Sequence, residues 1–275
     1  MSNNKQDKSE ITAGKILSRV FLFLILAGLI AATWFFMNWL YQPGNFPFNK
    51  VELTKQLENQ QSSELQKAVA ETINGGFFSL NVDAFRADLL ASLPWIKAVA
   101  VRKVWPDKLL LSISEHKPVM RWSSVNNDFY KARGNELLSN EGIIFYPHLT
   151  DWQQEKFKKM ALLSGPESNA VNVLTTCHQI NEGLKKLDVA IKQCGMNERR
   201  TWMVKLSNDM DIKLGKENMM QKLKRFVRVF SGQLKPYLDS VNYADLRYSN
   251  GFSIKWNTEN TEQLNTLVNK RREQE

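Results

Sequence analysis

The chain has 275 residues, with 37 lysines and arginines against 28 aspartates and glutamates for a formal charge of +9, and only two cysteines. Two thiols in that length hardly make a disulfide scaffold, and the length suits two small domains rather than one large one. The basic balance admits nucleic acid, acidic proteins or anionic lipid, and the N-terminal stretch decides among them.

Residues 20–40, from Val20 to Leu40, read VFLFLILAGLIAATWFFMNWL without a single charge. As a helix they reach about 31 Å, the thickness of a bilayer's hydrocarbon core. Trp34, Trp39 and Tyr41 crowd the C-terminal end, where amphipathic rings favour the headgroup zone. A buried core helix of this length would show a polar face, and a signal peptide would be shorter and end in a small-x-small site. The stretch is therefore read as a permanent anchor.

Ahead of it, the tail of residues 1–19 carries Lys5, Lys8, Lys15 and Arg19 against Asp7 and Glu10, whereas residues 41–60 hold only Lys50 and Lys55 as cations. The positive-inside rule then keeps the N-terminus inside. No later run approaches 18 apolar residues, so the chain crosses once and places about 235 residues beyond the membrane, in a bacterium the periplasm. A charge of +7 remains on that side, where acidic partners or anionic headgroups are the expected counterparts. Cys177 and Cys194 are expected as buried free thiols, with a disulfide the alternative in an oxidising compartment.

Residues 41–47 form a linker that Pro47 keeps extended, and residues 48–53 alternate as a first strand. Leu65, Val69 and Ile73 recur at a spacing of four, predicting a helix over 62–73 capped by Ser62 or Ser63 and stopped by Asn74-Gly75-Gly76. A second helix follows, capped by Asn81 or Asp83, with Phe85, Leu89, Leu90 and Leu93 on one face. Two period-two runs, 96–104 and 109–113, are strands joined by the turn Trp105-Pro106-Asp107-Lys108. The order β-α-α-β-β makes a small layer of helices on a sheet.

The segment FFSLNVDAFRADLLASLPWIKAVAVRKVWPDKLLLSISEHKPVMRW resembles the POTRA domain of the FtsQ/DivIB family of bacterial cell-division proteins. The likeness extends through LLSNEGIIF, LSGPES, and RRTW to DLRYSNGFSIKW, and the short N-terminal tail is similar to the Gram-negative form. It implies an α+β chain: a single transmembrane helix, a POTRA domain over 48–117, a mixed α/β C-terminal β-domain over 118–256 ending in an edge hairpin, and a polar, disordered tail over 257–275.

Within the β-domain, short strands are expected over 119–122, 128–131 and 136–140, with Arg133-Gly134-Asn135 as a hairpin turn and a bend at 139–142 before 143–145. A helix over 169–187 turns Val173, Ile180, Leu184 and Leu187 inward. Strands follow over 190–194, 202–206 and 210–214. An amphipathic helix from 216 or 217 to 234 places Leu223, Phe226, Val227, Phe230 and Leu234 on one side and Lys222, Lys224, Arg225 and Arg228 on a solvated face. Asn250-Gly251 predicts a two-residue hairpin loop, with Ser249 opposite Phe252, Arg247 opposite Ile254 and Asp245 opposite Trp256. The last strand is then an edge, open to β-augmentation.

The resemblance implies that this edge receives a strand from FtsB, with FtsL as the second partner. Arg247, Tyr248, Asn250, Gly251, Phe252, Ile254 and Trp256 become interface residues, and Arg199 and Arg200 face acidic side chains of the partner. It also implies a scaffold in the inner membrane, enriched at the division septum, that connects early division proteins to septal peptidoglycan synthesis. A POTRA-bearing module for outer-membrane protein assembly or transport is the alternative, but it calls for POTRA repeats or a C-terminal barrel. No catalytic, cofactor or metal constellation is expected. His116, His148 and His178 lack metal-site spacing, Cys177 and His178 point to different helix faces, and no nucleotide or hydrolase motif occurs. Trp95, Trp105, Trp122 and Trp202 are read as core or corner residues.

Overall fold

The computed structural model describes residues 6–124, 136–232 and 234–257, with side chains from residue 17 onward. The expected strand over 128–131, the Arg133-Gly134-Asn135 turn and the polar stretch from 258 lie outside the described residues. The chain divides into two compact units between Glu115 and His116.

In the first unit, helix α1 spans Gln6–Tyr41 and so begins well before the apolar run. Its part Leu17–Tyr41 is long and apolar enough to cross a membrane, and the protein buries none of it. Then come β1 (Lys50–Leu53), α2 (Ser62–Thr72), α3 (Val82–Ser92), β2 (Ile96–Val104) and β3 (Lys108–Glu115). Strand β3 is central, parallel to β1 with Val51 opposite Leu109 and antiparallel to β2 with Val99 opposite Ile113. Val99, Leu109 and Leu111 meet Leu65 and Val69 of α2 and Phe85 and Leu89 of α3. Each such side chain contributes about 1.5–3 kcal/mol by leaving water.

Lys103 shares the parity of Val99, yet its charge stays satisfied because Nζ donates to the carbonyls of Phe77 and Leu80, each at 2.8 Å. Asn81 caps α3, its Oδ1 accepting the N–H groups of Asp83 and Ala84. The expected serine cap of α2 does not form; Gln61 stands at that position without a side-chain bond. The incoming loop is instead fastened by the Glu115 carboxylate, which accepts the N–H groups of Glu58, Asn59 and Gln60 at 2.7, 2.9 and 2.6 Å. That ties both ends of the small domain together before the helix begins.

The second unit contains β4 (Pro118–Ser124), β5 (Leu137–Ser139), β6 (Ile144–Phe145), α4 (Asp151–Lys158), β7 (Leu162–Gly165), α5 (Ala170–Leu184), β8 (Ile191–Met196), β9 (Trp202–Leu206), β10 (Asp211–Gly215), α6 (Met219–Phe230), β11 (Val241–Asp245) and β12 (Ser253–Trp256). Its described strands form one sheet in the order β12-β11-β10-β9-β8-β7-β4-β5-β6. Pairing aligns Trp122, Leu163, Cys194, Val204, Ile212, Ala244 and Ile254 as one rank across seven strands. That rank and the inward stripes of α5 and α6 form a single core. On the opposite face, Phe157 of α4 lines a small cavity together with Arg121 and Leu137, side chains of the other strand parity.

Two elements were not expected. Helix α4 has little apolar content, but Thr150 and Gln153 make a reciprocal capping box at its start. Strand β7 is four residues long and buried on both faces, so it shows no alternation. Helix α6 ends at Phe230 rather than 234, with a 3-10 turn over Lys235–Ser240 taking over. Trp95, Trp122 and Trp202 are buried, whereas Trp105 is 59% exposed.

Cys177 of α5 and Cys194 of β8 are joined in a disulfide, their Cα atoms 6.0 Å apart inside the core, which corrects the expectation of free thiols. The physical reason is the crossing of α5 over the centre of the sheet, which points Cys177 at the middle of the aligned rank. Replacing both cysteines by alanine removes a cross-link over a separation of 17 residues. The loss should be about 2–4 kcal/mol, read as a lower urea midpoint of the second unit. Wild-type protein under reductant should match the double variant, and a midpoint indifferent to both changes would show that the bond carries no stability.

Candidate docking edge

Among the described residues no strand lies beyond β12, so one side of its backbone is open. The direction of each group follows from two bonds. Asn257 donates its N–H to Ser240 at 2.7 Å, and Leu246 donates to Lys213 of β10 at 2.8 Å. Alternation along antiparallel strands then turns the main-chain groups of Ser253 and Lys255 toward β11, and those of Ile254 and Trp256 outward. The side chains divide differently. Phe252, Ile254 and Trp256 are half-buried against the core, with the Phe252 ring 5.4 Å from Phe226 and 6.3 Å from Phe230 of α6. Ser253 and Lys255 are exposed. The apolar side chains are held by the protein's own helix, while the backbone remains available.

The hairpin differs from the expected one. Strand β11 ends at Asp245 and β12 begins at Ser253, so Asp245 pairs with Ser253 and Ala244 with Ile254. Residues 246–252 form a longer connection, and neither Asn250 nor Gly251 adopts the positive φ of a tight I′ turn. The cause is the buried carboxylate of Asp245. It accepts the Arg247 N–H at 3.1 Å, Arg247 Nε at 2.9 Å and Nη2 at 2.6 Å, and the Tyr243 hydroxyl at 3.0 Å. Those bonds turn the chain out of the strand at Asp245, five residues before Asn250. Arg247 therefore does not share a face with Ile254; it folds back over Gly215, where a Cβ would lie 3.2 Å from Arg247 Cγ.

Helix α6 holds the same connection from beneath. Lys222 Nζ donates to the Arg247 carbonyl at 3.2 Å and Arg225 Nη1 to the Ser249 carbonyl at 2.9 Å. These two cations, expected on a solvated face, are thus struts of the connection, whereas Lys224 and Arg228 are exposed. Asp245 and Tyr243, together with Lys222 and Arg225, were not expected at the site. Their signal in the sequence is the D-x-R spacing of 245–247 and the i,i+3 spacing of 222 and 225.

The cluster is strongly polarised. Bonds from Arg247 hold the Asp245 carboxyl down to about 2 against the opposing effect of burial. Burial, then the bond to Asp245, pushes the Tyr243 hydroxyl up to about 12. Bonding to Asp245 raises Arg247 further still. Lys213 Nζ lies 5.0 Å over the Tyr243 ring.

Of the site residues expected from sequence, Arg247, Tyr248, Asn250, Gly251, Phe252, Ile254 and Trp256 all lie on this connection and its edge strand, with Tyr248 58% exposed. Arg199 and Arg200 do not join them directly. Both are exposed on the turn between β8 and β9, where Arg200 has φ +58 and donates its N–H to Asn197 at 2.8 Å. That turn is at the same end of the sheet as the connection, because Trp202 pairs with Gly215 and Lys213 with Asp245. Strand β9 is three places in from β12, on the order of 14 Å at the usual strand spacing.

The family model described as "POTRA domain, FtsQ-type" matches residues 46–116, and that described as "Cell division protein FtsQ/DivIB, C-terminal" matches residues 129–247. A cell division protein FtsQ of Coxiella burnetii is 32% identical over 232 residues, covering 84% of this chain and 86% of that protein. The FtsQ proteins of Aliivibrio fischeri and Escherichia coli are 27% and 28% identical, covering 88% and 86% of this chain and 89% and 83% of their own lengths. The chain belongs to the FtsQ/DivIB family of cell division proteins, and the apolar α1 makes it a single-pass membrane protein. The C-terminal match stops at Arg247, so the edge strand is known from geometry.

The Asp245 carboxyl supplies a test of the connection. Its folded pKa lies below the ordinary value of about 3.9, so its contribution is complete above about pH 5 and is lost as pH falls toward 2. Wild-type thermal stability should fall more steeply over that window than that of Asp245→Asn, which should already be less stable at pH 7. Parallel curves would dissociate Asp245 from the stability of the connection.

Proposed function

We propose that β12 is the strand on which this protein receives FtsB, with FtsL carried in the same complex. The supporting observation is the outward-facing main chain of Ile254 and Trp256 at the end of a sheet whose side chains are already seated. An incoming strand would find donors and acceptors in place and a rank of apolar side chains ending at Ile254. It should therefore present an apolar residue opposite Ile254, on the side of α6. Tyr248 and Asn250 stand exposed beside the edge to read the partner's flanks. Arg199 and Arg200, at the same end of the sheet, meet its acidic side chains as forked donors.

In this reading the protein is a scaffold that works without catalysis. It is anchored in the inner membrane with its N-terminus in the cytoplasm, its two folded units in the periplasm, and is enriched at the septum. The POTRA domain helps bring it to the division site, and the β-domain connects early division proteins to septal peptidoglycan synthesis through FtsB and FtsL.

Proline at Ile254 removes an outward N–H without touching the pairing to β11, whereas proline at Lys255 removes an inward one. Ile254→Pro should lose about 3 kcal/mol of affinity for the periplasmic segment of FtsB, roughly a hundredfold in Kd, relative to Ile254→Ala, which gives up the same core packing but keeps the N–H, with the two variants unfolding at similar temperatures. Lys255→Pro should lower the unfolding temperature as well. Trp256→Ala should also lose capture, through loss of the strand's seat on the core. Titration calorimetry beside thermal unfolding decides the matter; an Ile254→Pro variant that binds like Ile254→Ala would refute augmentation at this edge.

A further inference from the structure

In the first unit, the segment between membrane helix and POTRA domain is an elbow with its bonds made. Asn45 Nδ2 donates to the Trp39 carbonyl at 2.6 Å, closing the C-terminus of α1, and the Asn45 N–H bonds Gln42. Four residues on, the Asn49 N–H bonds the Asp107 carbonyl at 3.0 Å, and Phe77 donates its N–H to Phe46 at 2.8 Å. Gly76 packs so closely under this strap that a Cβ would sit 2.6 Å from the Phe46 oxygen and 2.9 Å from that of Pro43. Residues 41–47 thus turn and lock instead of running extended.

Around the elbow the aromatic rings form a continuous series. Trp39 meets Phe46 edge-on at 5.5 Å, and Phe46 meets Phe78 at 5.2 Å and Trp105 at 5.9 Å. Phe77 lies 5.3 Å from Trp105. These rings occupy the end of the small sheet where β2 leaves at Val104 and β3 enters at Lys108. Trp105 is 59% exposed, although every neighbouring ring is apolar. In a protein surrounded only by water an indole in that setting would be expected to pack inward.

The membrane helix says what covers it. Leu17–Tyr41 has 25 residues, about 37 Å of helix against a hydrocarbon core of about 30 Å. The last turns, with Trp39 and Tyr41, therefore stand in the headgroup layer. Two ring-to-ring steps, of 5.5 and 5.9 Å, link Trp39 to Trp105, distances comparable to the depth of that layer, on the order of 5–8 Å on each side. We propose that the Phe77-Phe78 and Trp105-Pro106 turns are a second membrane contact, an aromatic foot set into the lipid headgroup layer that holds the POTRA domain at a fixed attitude to the bilayer. Tryptophan suits the position because its ring is apolar while its N–H remains in a wet layer.

The disulfide leaves no free cysteine among the described residues, and neither native cysteine lies outside it, so single nitroxide labels can be attached to the full chain. Asp107→Cys places a label beside Trp105, and Ser92→Cys places one at the far end of the same small sheet. In nanodiscs of neutral phosphatidylcholine, the label at 107 should collide several-fold less with a water-soluble nickel complex than the label at 92, and more with oxygen, which concentrates in lipid. Adding Trp105→Glu to Asp107→Cys should return both collision rates to those at 92, with the far-ultraviolet dichroism unchanged. High nickel access at 107 in the parent would show a foot standing in water. Low access to both reagents would show protein cover in place of lipid. Either result overturns the proposal.

Discussion

One rank of side chains, from Trp122 through Cys194 and Ile212 to Ile254, sets the inner face of the large sheet. Every strand in it must keep its parity, because a slip of one residue would turn an apolar side chain to the outer face. The rank fixes which residues of β12 look inward, and alternation of the backbone then fixes which amides look out. The open edge is a consequence of core packing carried to the end of the sheet. Phe252 on Phe226 and Phe230 adds the anchor that keeps so short a strand in register.

Much of this was legible in the sequence where a local rule acts alone. The charge-free run ending in Trp34, Trp39 and Tyr41, the Asn81 cap, the strands of 96–104 and 202–206, and the stripe of α6 each follow from periodicity or capping that nearby residues satisfy. The misses occur where distant partners intervene. Ser62 falls inside the first turn of α2 with Gln61 at the cap position, and the loop that leads in is held by Glu115, more than fifty residues away. Strand β7, central and covered on both faces, has no alternation to show.

The hairpin is the most instructive miss, since Asn-Gly is a strong local signal. A carboxylate buried at the end of β11 needs donors, and the nearest are the N–H and guanidinium of Arg247. Meeting that need turns the chain before the Asn-Gly pair can act, and Lys222 and Arg225 then take up the carbonyls that a tight hairpin would have paired. The edge itself was foreseeable; its register was not, because Asp245 is satisfied by residues that the turn rule does not weigh.

The same residues alter the meaning of the positive charge. A basic excess read from composition suggests attraction to acidic partners, yet several cations here donate to main-chain carbonyls: Lys103 to Phe77 and Leu80, Arg121 to Met160, Lys222 to Arg247, Arg225 to Ser249. Irregular segments leave carbonyls unpaired, and a long cationic side chain can reach them from a neighbouring element at little cost in packing. Such charges fasten loops to the core and are already engaged. Arg199 and Arg200 differ: they are exposed at a turn and make no ion pair among the described residues. That exposed pair stands at the same end of the sheet as the connection that leads into the open strand, whereas Lys103, Arg121, Lys222 and Arg225 serve the fold.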